Sequence, residues 1–451
     1  MNTKNKILLV NLPFYRLMGS HYNGINIGLC YISSVLNQSG CICKIYNADY
    51  LDSDKYADQI KLFEGTQMFK KVHQDCEHPI WLEVVDNILN YDPDFVGFTV
   101  YSADYPAARI VSAHLKKKKP SINIVVGGPH ITVGKTIPLE ETPDFDYGVV
   151  GEGEYTRKDL VSGKTLSEIP GLMWRDSGKV IINPSASSIA DLDNIPFPDR
   201  TNFYPEGRKY NSHFILTSRG CPNDCTFCAS PRIWDRKVRF RSVDNVMDEI
   251  RELVGKGVKF IQFQDDTFTF SKKRVLELTG RIISEGLKFE WICDTRLNCV
   301  DEEILLAMKK AGCIRVKVGI ESGSRKILKQ INKQITPEMA IEKTALIRKM
   351  GLQFTAYYMI GFPEETNEDA QETINLAKRI DADYNSLSIV SPYYGTEIYN
   401  DYLAQNNNSL LKSHWEYFFH QSREMILTSK IDAETIDEFL ALNDFSKGKR
   451  V

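Results

Sequence analysis

Through the first 150 residues short apolar runs alternate with amphipathic stretches. The apolar runs fall at 6–10, 42–46, 95–100, 122–126 and 147–150, and apolar positions recur at helical spacing over 28–38, 81–90 and 107–118. Strand and helix in this rhythm predict a parallel sheet covered by helices on both faces, an α/β doubly wound domain spanning 1–155. Turn-forming residues mark the carboxyl ends of its strands: Asn11-Leu12-Pro13, Tyr101-Ser102, Gly127-Gly128-Pro129-His130 and Gly151-Glu152-Gly153-Glu154. Ligands of open α/β sheets bind at those ends, and glycine there lets the backbone approach a bulky one closely.

The pattern loosens over 156–212, which reads as a linker holding a β-hairpin at 171–182 and an extended Pro-rich stretch at 194–198. A second alternation starts at 213. Strands at 214–217, 260–263, 290–294, 314–319, 353–360 and 384–389 are separated by helices at 243–255, 273–284, 302–311, 337–350 and 367–380. Six such units with right-handed crossovers predict a partial (β/α)6 TIM-like barrel over 213–400, with its chemistry at the carboxyl ends of the strands. The remainder, 401–451, is expected as a small helical C-terminal cap with a closing helix near 433–443, and its aromatic run at 414–420 as packing.

The chain has 451 residues, enough for two or three domains at roughly 150 residues each. With 42% hydrophobic and 25% charged residues it has an average globular composition, which excludes disordered, collagen-like and coiled-coil readings. The net charge of -3, from 56 Lys+Arg against 59 Asp+Glu, offers no basic field for a nucleic-acid partner. No run of about 18 apolar residues occurs, so no membrane span is expected. The first apolar run stops at Asn11, short of a signal-peptide core, which points to the cytoplasm. In that compartment the ten cysteines are core thiols or metal ligands and not disulfides.

Their spacing separates the two. Cys221, Cys225 and Cys228 form C-x3-C-x2-C directly after the first strand of the second alternation. Three thiolates in one loop can hold three irons of a cubane iron-sulfur cluster and leave the fourth iron open. A structural zinc site is the alternative, but it needs a fourth ligand, and no Cys or His follows closely. Cys30, Cys41, Cys43 and Cys76 lie in or beside apolar elements and read as free thiols, as do Cys293, Cys299 and Cys313.

The three-cysteine loop resembles the signature of the radical S-adenosylmethionine (SAM) enzymes. That resemblance implies a 4Fe-4S cluster whose open iron chelates SAM, one-electron cleavage of SAM to a 5'-deoxyadenosyl radical, and an external reductant of flavodoxin or ferredoxin type. It implies a SAM contact from Phe227, which stands before the third cysteine, where it can shield the cluster. It also implies SAM contacts from Gln264, Asp265 and Asp266 at the second strand end, from Arg296 at the third, and from Glu321 and Ser322 at the fourth. The first domain resembles the Rossmann-like cobalamin-binding domain that precedes the barrel in one large subgroup. The likeness is carried by Tyr101, Ser102, Gly127, Gly128, His130, Gly151, Glu152 and Gly153, which it implies line the cobalamin site, and by the Pro-rich stretch after them.

One departure bears on mechanism. Many cobalamin carriers supply a cobalt ligand through D-x-H-x-x-G after the first strand, and no Asp precedes His21 at that spacing here. The lower face of cobalt is therefore expected without a histidine, which favours radical transfer of a methyl group. The implied activity is cobalamin-dependent methylation of an unactivated carbon or phosphinate phosphorus on a small-molecule or natural-product substrate. Its rivals are cyclisation, oxidation or rearrangement of a tetrapyrrole or natural product without net methylation, a methylthiotransferase with a second cluster on the first domain, and a non-catalytic cofactor-binding regulator.

Overall fold

The computed structural model describes the chain except residues 1–4, 54–64, 185–187, 211–212, 407–414, 416–417, 420–421, 424–426 and 443–451. It divides into two compact units, the first built mainly from residues before 211 and the second mainly from those after 212.

The first unit is an eight-stranded sheet. Its strands are β1 (Lys6–Asn11), β2 (Ile42–Asn47), β3 (Phe95–Thr99), β4 (Asn123–Gly127), β5 (Tyr147–Val149), β6 (Leu172–Asp176), β7 (Lys179–Ile182) and β8 (Phe203–Tyr204), in the order β7-β6-β5-β4-β3-β1-β2-β8. β1 lies in the middle, paired in parallel with β2 and β3, and Ile7, Leu8, Leu9 and Val10 are all buried, as a central strand covered on both faces requires. The parallel core reverses its winding between β1 and β3, which makes their carboxyl ends the topological switch point where such sheets bind ligands.

The segment expected as a linker is drawn into this sheet. The hairpin β6–β7 forms where its pattern placed it and adds antiparallel to β5, while β8 pairs with β2 on the opposite edge. The helix Gly153–Val161 packs beside the helix Ile27–Gln38. The helix Thr66–Gln74 has no counterpart in the sequence reading. At the end of the helix 105–118, Lys116, Lys118 and Lys119 pair with Asp146, Asp86 and Asp92.

In the second unit β9 (Phe214–Ile215), β12 (Phe260–Phe263), β13 (Glu290–Thr295), β14 (Cys313–Glu321), β15 (Gln353–Ile360) and β16 (Tyr384–Ile389) form one all-parallel six-stranded sheet, the expected open barrel. A small antiparallel pair, β10 (Ser218–Arg219) and β11 (Arg239–Phe240), closes the base of the loop 220–238. Val316, Val318, Phe354, Ala356 and Tyr358 are fully buried, whereas the alternate positions Lys317, Tyr357 and Met359 are half-buried. The period of two therefore separates a packed face from a polar, partly open one.

The described residues beyond 400 do not form one cap: Trp415, Phe418, Phe419 and Ser422 group with the first unit, and 401–406 and those from 423 with the second. The closing helix is Ala433–Ala441. Of the aromatic run, Trp415, Phe418 and Phe419 are buried packing residues, and the rest lies outside the described residues. Among the described residues no helix is long and apolar enough to cross a membrane.

Candidate functional site

In the barrel unit the chain turns sharply before the first cysteine. Gly220 has φ +98° and a Cβ there would meet the Lys237 carbonyl, so only glycine closes this turn. Three acceptors hold the loop that follows. Asp265 Oδ1 accepts from the backbone N–H of Thr217 (2.6 Å) and Ser218 (2.9 Å), and its Oδ2 accepts from Thr217 Oγ1 (2.5 Å). Asp266 accepts from Ser230 Oγ (3.3 Å) beyond the last cysteine. The Asp224 carbonyl, between them, accepts from Asn332 Nδ2 (3.0 Å). Asp265 and Asp266, expected at SAM, thus brace the loop from both sides, and burial pushes the Asp265 carboxyl up to about 6.

Cys221, Cys225 and Cys228 are all free thiols within this loop. Cys221 Sγ accepts from Asn223 Nδ2 (3.2 Å), and Cys225 Sγ accepts from Arg296 Nη1 (3.3 Å). Burial pushes the Cys228 thiol up to about 12, so its anion calls for a cationic neighbour, which a cluster iron is. Among the described residues no three Cys, His, Asp or Glu groups are placed to hold a single metal ion. The donor set, three soft thiolates on one braced loop, fits three irons of a cubane.

Arg296 is buried and also reaches the Lys333 carbonyl, and Lys333 Nζ in turn meets Glu321 Oε1 at 2.6 Å, both side chains being under 10% exposed. Glu321, Asn332 and Gln334 all have positive φ, so three non-glycine residues hold left-handed backbone around this ion pair. On the polar barrel face Lys317 Nζ pairs with Asp294 Oδ2 (2.7 Å), and Tyr357 Oη donates to Asp294 Oδ1 (3.3 Å). Gln264 is half-buried at the end of β12, and Phe227 packs edge-on toward Phe362 (6.0 Å). Ser322 is fully buried and bonded to Thr373 Oγ1 (3.0 Å), which holds the turn after β14.

Lys333, Asp294, Lys317 and Tyr357 were not singled out by sequence. The last three carried a signal, being polar positions inside otherwise apolar strands; Lys333 carried none.

In the first unit Asp49 braces the loop after β1, accepting from the backbone N–H of Phe14, Tyr15 and Arg16 at 2.8–3.0 Å. At the end of β3 Tyr101 is 51% exposed. Its neighbour Ser102 is bonded through Oγ to His130 Nδ1 (3.1 Å), and the His130 ring lies among Tyr105, Tyr394 and Trp415 at 4.5–5.5 Å. Burial lowers His130 to about 3, so it is a neutral, enclosed imidazole. Glu152 Oε2 accepts from Ile189 N (2.7 Å).

The glycines carry the cradle. Gly128 has φ +102° and ψ -175°, and a Cβ there would lie 2.9 Å from Val100 N. Gly151 has φ +78° and its N–H donates to Thr132 Oγ1 (3.1 Å). A Cβ on Gly127 or Gly153 would lie 2.5 and 3.1 Å from the guanidinium of Arg157. Glycines at consecutive strand ends beside the switch point, with one exposed aromatic ring, suit a large flat ligand such as cobalamin. Among the other thiols Cys30, Cys43, Cys293 and Cys313 are buried core residues, whereas Cys41 and Cys299, expected in the core as well, are half-buried and Cys76 is exposed.

Comparison with known proteins agrees with both halves. Residues 215–377 match the radical SAM superfamily and residues 19–161 match the B12 binding domain. An uncharacterized methyltransferase of Pyrococcus horikoshii is 34% identical over 427 residues, covering 92% of this chain and 86% of the relative. An anaerobic magnesium-protoporphyrin IX monomethyl ester cyclase of Rubrivivax gelatinosus is 30% identical, covering 79% and 65%. The fold matches that of the radical SAM methyltransferase TsrM from Kitasatospora setae, with a TM-score of 0.66, 18% identity, and coverage of 89% and 75%. A doubly wound unit with a glycine cradle and a partial barrel with a three-cysteine loop define a two-cofactor radical enzyme. The chain belongs to the radical SAM superfamily, in the subgroup with an N-terminal B12-binding domain, and its cofactors are a 4Fe-4S cluster, SAM and cobalamin.

Proposed function

We propose that the protein methylates a small-molecule or natural-product substrate at an unactivated carbon or phosphinate phosphorus. The observation that carries this reading is the pairing, in one chain, of a cysteine loop under the Arg296 guanidinium with a glycine cradle whose own histidine, His130, is enclosed and bonded to Ser102. When bound, the cluster supplies the electron that cleaves SAM to a 5'-deoxyadenosyl radical, and cobalamin supplies the methyl group.

The chain's own residues set the stage. Cys221, Cys225 and Cys228 would hold the cluster, and Arg296 would fix the position of the Cys225 sulfur through its hydrogen bond. The Lys333–Glu321 pair and Gln264 offer opposite charges and an amide for the amino-acid end of SAM, and Phe227 keeps water from the loop. The partly open face with Asp294, Lys317 and Tyr357 is where a polar substrate would be held. In the first unit Tyr101, Gly128 and Gly151 would take the corrin. The reductant is a flavodoxin or ferredoxin, and the place of work the cytoplasm.

Anaerobic reconstitution with iron, sulfide and hydroxocobalamin, then reduction in the presence of SAM, tests this. Methyl transfer is expected to release both S-adenosylhomocysteine and 5'-deoxyadenosine. The relation to the cyclase supports a second reading, ring closure without net methylation, and that reading expects 5'-deoxyadenosine without S-adenosylhomocysteine.

A further inference from the structure

Arg157 is used by nothing described so far. It sits on the helix 153–161, which packs beside the helix 27–38, and its side chain is enclosed, the residue being 5% exposed. Its guanidinium occupies the space left by two missing side chains. A Cβ on Gly127, at the end of β4, would lie 2.5 Å from Nη2, and one on Gly153 would lie 3.1 Å from Nη1. Yet the buried Nε finds no hydrogen-bond partner among the described residues. The titratable groups that act on Arg157 are Glu154, one turn back on the same helix, and the Cys43 thiol on β2. Burial lowers the guanidinium only to about 10, so it is a cation at neutral pH.

A buried cation with an unmet donor is costly unless an anion and its lone pairs complete it. The periphery of cobalamin is made of neutral amides, and its one formal anion is the phosphodiester of the nucleotide tail. A planar guanidinium fork recognises a phosphodiester through paired N–H donors. Glycine at 127 and 153 lets that fork lie directly against the backbone at the ends of β4 and β5.

We infer that Arg157 binds the phosphodiester of the cobalamin nucleotide tail, between the carboxyl ends of β4 and β5, and thereby selects complete cobalamin over corrinoids that lack the tail. This rests on the cobalamin reading of the first unit. Arg157 is a cofactor-positioning residue and touches no reacting atom.

The test compares retention of hydroxocobalamin with that of cobinamide, the same corrin without nucleotide or phosphate, by equilibrium filtration of the full chain with its cluster in place. Wild type is expected to bind cobalamin at least about tenfold more tightly than cobinamide, the scale of one charge-assisted contact. Arg157→Gln is expected to lose about that factor for cobalamin while its cobinamide affinity stays within about twofold, which also reports that the unit is folded. Arg157→Lys is expected to fall between the two. Equal loss for both corrinoids, or no loss for either, overturns the inference, as does a wild type that binds both equally. Should Arg157→Gln not fold, the wild-type ratio and Arg157→Lys carry the test. A wild type that retains neither corrinoid overturns the cobalamin reading itself, an outcome distinct from all of these.

Discussion

At the strand ends of the barrel unit the working groups are side chains that act on one another: Arg296 on Cys225, Lys333 on Glu321, Lys317 and Tyr357 on Asp294. At the strand ends of the doubly wound unit the site is made by leaving side chains out, at Gly127, Gly128, Gly151 and Gly153, while the polar groups nearby are spent on the protein itself. His130 is bonded to Ser102 and Asp49 caps three backbone N–H groups. The difference follows from the guests. A small reactive cluster and an amino acid need charge at fixed points, whereas a large, mostly neutral corrinoid needs shape.

The sharpest way to break this contrast is at Cys225. Cys225→Ala removes one of the three proposed iron ligands together with the partner of Arg296, and should abolish both the cluster, about four irons per chain, and SAM cleavage. Cobalamin retention should survive, because the glycine cradle shares no residue with that loop. Iron and cobalt content of the reconstituted variant checks both halves; loss of both metals would show that the two sites are not independent.

Glu321→Gln comes next. It leaves the Lys333 ammonium buried without its carboxylate, and removing one member of a buried pair costs about 3–5 kcal/mol. A urea titration should show the transition of the barrel unit moved to lower denaturant. Adding Lys333→Met should recover much of the loss, and a double variant no better than the single one would mean that the pair is not what Glu321 provides. Gly128→Ala tests the other unit. Its φ and ψ lie in a region that is essentially glycine-only, and the new methyl would press on Val100 N, so a loss of about 1–3 kcal/mol is expected. Cobalt retention should fall while iron content stays at the wild-type level.

How far sequence reaches differs between the two units for the same reason. The cysteine loop stands out in sequence because its three thiols lie within eight residues, and Arg296 and Glu321 because they sit at strand ends in order. Asp265 and Ser322 follow strands too, but spacing cannot tell which way a side chain faces, and both turn inward to hold loops. Lys333 reaches Glu321 only because the segment 331–334 folds back on the cysteine loop. The glycines of the cradle were visible, but Arg157, which fills the space they leave, looked like any surface arginine on an amphipathic helix. The segment 156–212 read as a linker because a two-residue strand such as β8 has no periodicity to detect.

The smallest effect concerns the pH response of the doubly wound unit. Burial, reinforced by the nearby Asp49 carboxylate, pushes Asp104 up to about 8. The folded chain therefore keeps this proton up to about pH 8, whereas the unfolded chain releases it near 4, so stability falls as pH rises between those values. Asp49, held near 6, acts in the same direction but finishes lower, and His130, lowered to about 3, acts in the opposite direction only below about 6.5. Between about pH 7.5 and 9 Asp104 is then the member of this set that still titrates, and wild type should lose about 1 kcal/mol relative to Asp104→Asn across that window. Paired urea titrations at the two pH values measure the difference. Parallel lines for the two proteins would mean that Asp104 is ionised in the folded state and that water reaches the switch point.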